Sequence, residues 1–172
     1  MIQTALAITG IIAAAIMDWR VRKIQNVLTF SMIVLGFLAN ILQHGFPGFQ
    51  HSFLGLCLGI LLLYFPFQLG GVGGGDVKLM GAIGSLLGPV LIFKIFLASA
   101  ICGGILSLVY MIKRKAARKT FEAVKTKVFY FLMTGTVLPE SGEVSEKKQL
   151  SIPYSFAIGF GTFLVLLWVQ GG

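Results

Sequence analysis

The chain is poor in charge, and acid above all: 12% of its 172 residues are charged, and 6 of these are aspartate or glutamate. A soluble domain carries about twice that share of charge. Here 56% of the residues are hydrophobic and the mean hydropathy is +0.90, so an ordinary soluble domain is set aside in favour of a polytopic membrane protein. Cysteine is scarce too. Cys57 and Cys102 lie in different apolar runs with no Cys-x-x-Cys pair, which excludes a disulfide framework and leaves packed thiols. The histidines, His44 and His51, fall in a short loop with Gly45, Pro47 and Gly48 and have no carboxylate or thiol beside them, so no metal site is expected. Also missing are His-Glu-x-x-His, Gly-x-Ser-x-Gly and a Walker-type loop ending in Gly-Lys-Ser/Thr. Zinc, elbow-serine and nucleotide-driven enzymes are thereby set aside, and no cofactor is expected.

What is present is apolar and segmented. Runs extend over Ile2 to Met17, Val27 to Gln43, Phe53 to Leu69, Val77 to Gly88, Val90 to Ile112 and Ile152 to Val169. Most are long enough, or nearly so, to span a hydrocarbon core as a helix. The pattern predicts an all-α fold: a polytopic membrane protein of six transmembrane helices, the fourth short and broken, in one membrane-embedded domain over residues 1–172. The first run has no basic residue ahead of it and leads directly into Asp18-Trp19-Arg20, which reads as a retained helix rather than a cleaved signal peptide.

The basic residues give an orientation. With the N-terminus outside, each of the 14 lysines and arginines except Lys94 falls on the inner side, and Lys94 can snorkel outward. A single crossing from Val77 to Ile112 would carry the following basic loop outside, so a turn is required at Gly88-Pro89. The fourth run is then short: twelve helical residues cover roughly 18 Å against a hydrocarbon core of about 30 Å. Its Asp76 end should lie in the inner half of the membrane behind an irregular glycine loop, which hydrocarbon tolerates only against protein or a water-filled cavity.

The inner loop over residues 113–150 starts basic and spaces Phe121, Val124, Val128 and Phe131 roughly as a helix does, which suggests an interfacial helix on anionic lipid. Glu140, Glu143 and Glu146 read as solvated loop charges. The positive-inside pattern accounts for the net charge of +8, so nucleic acid is not an expected partner. Composition neither requires nor forbids a homo-oligomer.

The only aspartates are Asp18 and Asp76, and each sits where an apolar run meets polar residues. An ionised carboxylate at bilayer depth is costly and tends to face a cavity with a function. Asp76 has a plain alternative as the N-cap of the helix beginning at Val77, but capping leaves unexplained the glycines of Gly70-Gly71-Val72-Gly73-Gly74-Gly75 ahead of it. Asp18 could equally be a charge that ends the first helix, with Asn26 capping the next. Both aspartates nevertheless fall on the same side under the orientation the basic residues permit, which suggests a carboxylate dyad.

The stretch Gly73-Gly74-Gly75-Asp76-Val77-Lys78-Leu79 resembles the Gly-x-Gly-Asp-x-Lys-Leu signature of the type IV prepilin peptidases. Asp18 followed by Arg22-Lys23-Ile24-Gln25-Asn26 resembles that family's first aspartate box, with Gln25 where proline is usual, and Ile152-Pro153-Tyr154 resembles its last-helix motif. The long bacterial members carry an added N-methyltransferase region with a Cys-x-x-Cys pair that has no counterpart here. The resemblance therefore points to the short form associated with tight-adherence (Flp-type) pili, with archaeal preflagellin peptidases a close second.

The resemblance implies an intramembrane aspartic endopeptidase in the cytoplasmic membrane, with its active site towards the cytoplasm. Asp18 and Asp76 would be catalytic, and Gly73, Gly75, Lys78, Asn26, Pro153 and Tyr154 would support the site or bind substrate. The substrates would be type IV prepilin or pseudopilin precursors, cut after a glycine that ends a short basic leader. Two carboxylates about 4 Å apart at an effective dielectric near 20 repel by roughly 4 kcal/mol, so the pair should share one proton. Lys78 could hold a substrate carboxylate, tune the dyad or merely snorkel. A proton- or cation-coupled transporter would use similar carboxylates, but the sequence offers no second glycine run with an aspartate to suggest an inverted repeat. A catalytically dead assembly subunit would ordinarily have lost an aspartate.

Overall fold

The computed structural model describes residues 2–21, 25–68, 72–113 and 154–171, together with Thr126, Phe129 and Met133. Four long helices run among the described residues: α1 (Ile2–Val21), α2 (Asn26–Gln68), α3 (Gly74–Lys113) and α4 (Tyr154–Gly171). No strand occurs among the described residues, as the all-α expectation requires. The expectation of six separate transmembrane helices is corrected to four long helices among the described residues, because the chain stays helical through two bends. Within α2 only Gly45 leaves the helical region (φ 61°, ψ −135°), and within α3 only Gly88 does (φ 80°, ψ 178°). The bends divide α2 into arms 26–44 and 46–68 and α3 into arms 74–87 and 89–113.

The expected loop around His44 and His51 is accordingly helical apart from Gly45. Pro47 and Pro89 each fall in the first turn of the arm that follows a bend, where a missing N–H does little harm. By length and composition, α2 and the Gly74–Ile105 stretch of α3 could cross a membrane, whereas the apolar stretches Gln3–Met17 and Ala157–Val169 are shorter. Phe121, Val124, Val128 and Phe131 lie outside the described residues. Thr126, Phe129 and Met133 among them are helical and exposed.

Arm 74–87 is the centre of the bundle. Leu79, Met80, Ala82 and Ile83 are wholly inaccessible, and every residue from Leu79 to Gly88 is buried. Both arms of α2 clasp it through glycine. A Cβ on Gly84 would strike the carbonyl of Gly55, and one on Gly55 would strike that of Gly84; Gly59 lies likewise on the Met80 carbonyl, and Gly36 on Ser85. Such close backbone approach is how helices gain packing where lipid supplies no hydrophobic drive between them. The outward faces suit that solvent, since Ile12, Ile16, Phe30, Leu42, Leu61 and Trp168 are each more than half exposed. At the outer side of α4, Lys94 places its ammonium 4.8 Å from the centre of the Trp168 ring, so the charge rests on a π face.

Candidate functional site

The site begins with the way α3 starts. The Gly73 carbonyl accepts the N–H of Asp76 at 3.0 Å and that of Val77 at 3.4 Å, so Gly73 occupies the cap position and Asp76 the third place of the first helical turn. This sets aside the plain alternative of Asp76 as the N-cap. A Cβ on Gly73 would lie 3.3 Å from Asp76 Oδ2, so the carboxylate folds back over the cap residue. A helix N-terminus favours negative charge there. Gly74 in turn would meet the Phe67 ring at 3.4 Å, which closes the opposite side with the last turns of α2. Asp76 is 9% exposed, a carboxylate held inside the bundle at the mouth of its buried central arm. Gly75 lies in the same first turn, and Gly70 and Gly71 lie outside the described residues.

Lys78 extends from the exposed face of that turn and donates from Nζ to Asn26 Oδ1 at 2.9 Å. The Gln25 carbonyl accepts the N–H of Leu28 (3.2 Å) and Thr29 (3.4 Å), so Gln25 takes the cap position of α2 and Asn26 is its first helical residue. Asn26 is thus not a cap; its side-chain carbonyl serves Lys78 instead. The ammonium neither points away to solvent alone nor hangs free.

Asp18 lies in the last turn of α1, and its side chain is outside the described residues. Backbone register locates it. Gln3 Nε2 donates to Asn40 Oδ1 at 2.7 Å and to Gln43 Oε1 at 3.3 Å, while Gly10 packs on Met32. Helix α1 therefore runs antiparallel to arm 26–44, and its last turn comes level with Gln25 and Asn26. The Lys78 to Asn26 bond brings the start of α3 to the same end. Further round the bundle, Gly161 packs on Ser99 and Gly159 on Ile11, so arm 89–113 folds back beside the others and α4 sets out from that end too. One end thus gathers Asp18, Asn26, Asp76 and Lys78, with Tyr154 at the head of α4. The side chain of Tyr154, and Pro153 altogether, lie outside the described residues.

One residue escaped the sequence reading. Asn40 is 2% exposed inside α2 and bonds to three other arms. Its signal was an asparagine inside the apolar run Val27 to Gln43.

The family model for the type IV leader peptidases matches residues 5–108. A preflagellin peptidase of Methanocaldococcus jannaschii is 32% identical over 91 residues, which make up 51% of this chain and 38% of that protein. The chain therefore spans well under half the length of that relative. No solved structure matches.

Proposed function

Because the chain belongs to the type IV leader peptidase family, a family of membrane proteases, we propose that it is an intramembrane aspartic endopeptidase acting on prepilin-type or preflagellin-type precursors. What carries the reading is the placement of Asp76, a carboxylate buried at the first turn of a lipid-shielded arm, at the end of the bundle where α1 delivers Asp18.

In this reading a water lies between the two carboxylates. One, ionised, takes a proton from the water as its oxygen attacks the scissile carbonyl carbon, and the other, protonated, donates to the carbonyl oxygen. The tetrahedral diol then collapses, the C–N bond breaks, and the amine leaves with a proton from the dyad. Lys78 and Asn26 hold α3 and α2 together beside the site, Gly73 leaves room for the carboxylate, and Pro153 and Tyr154 would support the site or bind substrate, as their match to the last-helix motif implies. The N-terminus would lie outside and the site would face the cytoplasm, as the basic residues direct. A precursor anchored by its own apolar helix would present a basic leader at that face, cut after glycine. A relative that is a preflagellin peptidase supports the substrate class.

Co-expression with a prepilin-type or preflagellin-type candidate, followed by mass spectrometry of the product, tests this. A new N-terminus directly after the leader glycine is expected. A precursor left intact by the wild-type chain across both substrate types would refute the reading.

A further inference from the structure

At the end of the bundle opposite the aspartates, one buried side chain joins four arms. Asn40 Nδ2 shares its two hydrogens among the Gly36 carbonyl at 3.0 Å, Ser52 Oγ at 2.9 Å, the Ser85 carbonyl at 3.1 Å and the Leu86 carbonyl at 3.3 Å. Its Oδ1 accepts from Gln3 Nε2 at 2.7 Å. Ser52 adds a bond of its own to the Gly36 carbonyl at 3.3 Å. The amide stands in for a missing backbone donor: residue 89 is proline, so the Ser85 carbonyl four places earlier cannot receive the N–H that a continuous helix would give it. Out of water such a carbonyl must be met by protein.

We infer that Asn40 is a positioning residue for the reaction, setting the relative height of α1 and of arm 74–87 and hence of Asp18 and Asp76. The inference rests on the proposed dyad. Gln3 and Asp18 are separated by about 22 Å of helix, and Ser85 and Asp76 by about 14 Å, so both acids hang from a common point on stiff rods. Where Gly36, Gly55 and Gly59 of α2 meet this arm, backbone lies against backbone, which sets how close the helices come. Lys78 and Asn26 tie the two helices at the aspartate end, and the buried directional bonds at Asn40 fix their axial register at the other end and extend it to α1. A slip of one residue displaces a rod by about 1.5 Å, and a misplacement of that order reduces turnover about a hundredfold where two groups act on one substrate.

The test uses the full chain in lipid nanodiscs, with a Cys57→Ala/Cys102→Ala background for labelling. Asn40→Leu keeps the volume and removes the donors. It is expected to lower kcat by about tenfold or more while KM stays within about twofold. Spin labels at Ile16→Cys and Val72→Cys report the same displacement without reference to catalysis, and their separation should shift or broaden by about 1.5 Å or more. Wild-type turnover, or lost turnover with an unmoved label distance, overturns the inference. Should Asn40→Leu fail to accumulate, Gln3→Leu decides: it cuts the bonds that tie α1 to Asn40 and Gln43 and leaves the contacts of Asn40 with arm 74–87, and lower kcat with a displaced label pair is expected, while an unchanged pair overturns the inference. Failure of the dyad reading looks different, since Asp18→Asn or Asp76→Asn would then still cleave while the label distance kept responding to Asn40.

Discussion

Lys78 Nζ and Asn26 Oδ1 meet at 2.9 Å, two residues beyond Asp76 on one helix and at the first residue of another. If this bond serves the reaction by holding the two helix starts together, Lys78→Ala and Asn26→Ala should each lower kcat/KM by about fivefold without abolishing it, and the double variant should be no worse than either single one. Fully additive losses in the double-mutant cycle would show that the two side chains act separately.

Asp18→Asn and Asp76→Asn are isosteric and remove only the acid. Each is expected to reduce precursor cleavage by about three orders of magnitude or more while the protein still inserts in the membrane at wild-type levels. Quantitative immunoblotting of precursor and product in isolated membranes measures both. Normal processing by either variant would end the dyad assignment.

Gly73→Ala places a methyl group 3.3 Å from Asp76 Oδ2, close enough to push the carboxylate aside without unfolding anything. Turnover should fall by about threefold to tenfold with an unchanged melting temperature in detergent. A drop in stability without a drop in kcat would mean that the glycine matters to the fold and not to the acid.

Gly84→Leu drives a side chain into the Gly55 carbonyl, whereas Gly104 has nothing within 4 Å of a Cβ. The first should lose about 1–3 kcal/mol of stability or fail to accumulate, and Gly104→Ala should be neutral. Denaturation in mixed micelles compares them directly.

Gly45 and Gly88 both have positive φ, at 61° and 80°, yet only Gly88 is covered, by the His51 ring. Any L-residue there costs about 1–2 kcal/mol of backbone strain. Gly88→Ala should therefore destabilise more than Gly45→Ala, and adding His51→Ala should recover the steric share alone. Equal effects at the two bends would leave His51 without a role.

Much of this was legible in the sequence because hydrocarbon leaves few options. Helical class follows from apolar runs, and the bend at Gly88-Pro89 follows from a residue pair that cannot continue a helix unaltered. The glycine run ahead of Asp76 marked a place of close approach, though what approaches Gly73 is the Asp76 carboxylate itself. What could not be read was how bends are distributed. His44 and His51 looked like loop residues because Gly45, Pro47 and Gly48 cluster there, but proline in a first turn is compatible with helix, so one non-helical residue suffices. The place of Asp76 in the turn was likewise hidden, since an acid at the cap and one two or three residues later leave the same sequence trace. Asn40 passed unnoticed for a different reason: its partners are carbonyls exposed by a bend far along the chain, and no periodicity records which backbone groups a bend leaves bare. The pairing of Lys78 with Asn26 is equally a matter of helix register between elements distant in sequence.

Arm 74–87 lies between the two arms of α2, and α2 precedes it in the chain. A ribosome therefore delivers the clasp before the rod it encloses, and the glycine-lined cleft can stand ready when the rod emerges. This buried arm need never wait naked among acyl chains, and the aspartate at its tip can be carried to its place by a helix already sheathed.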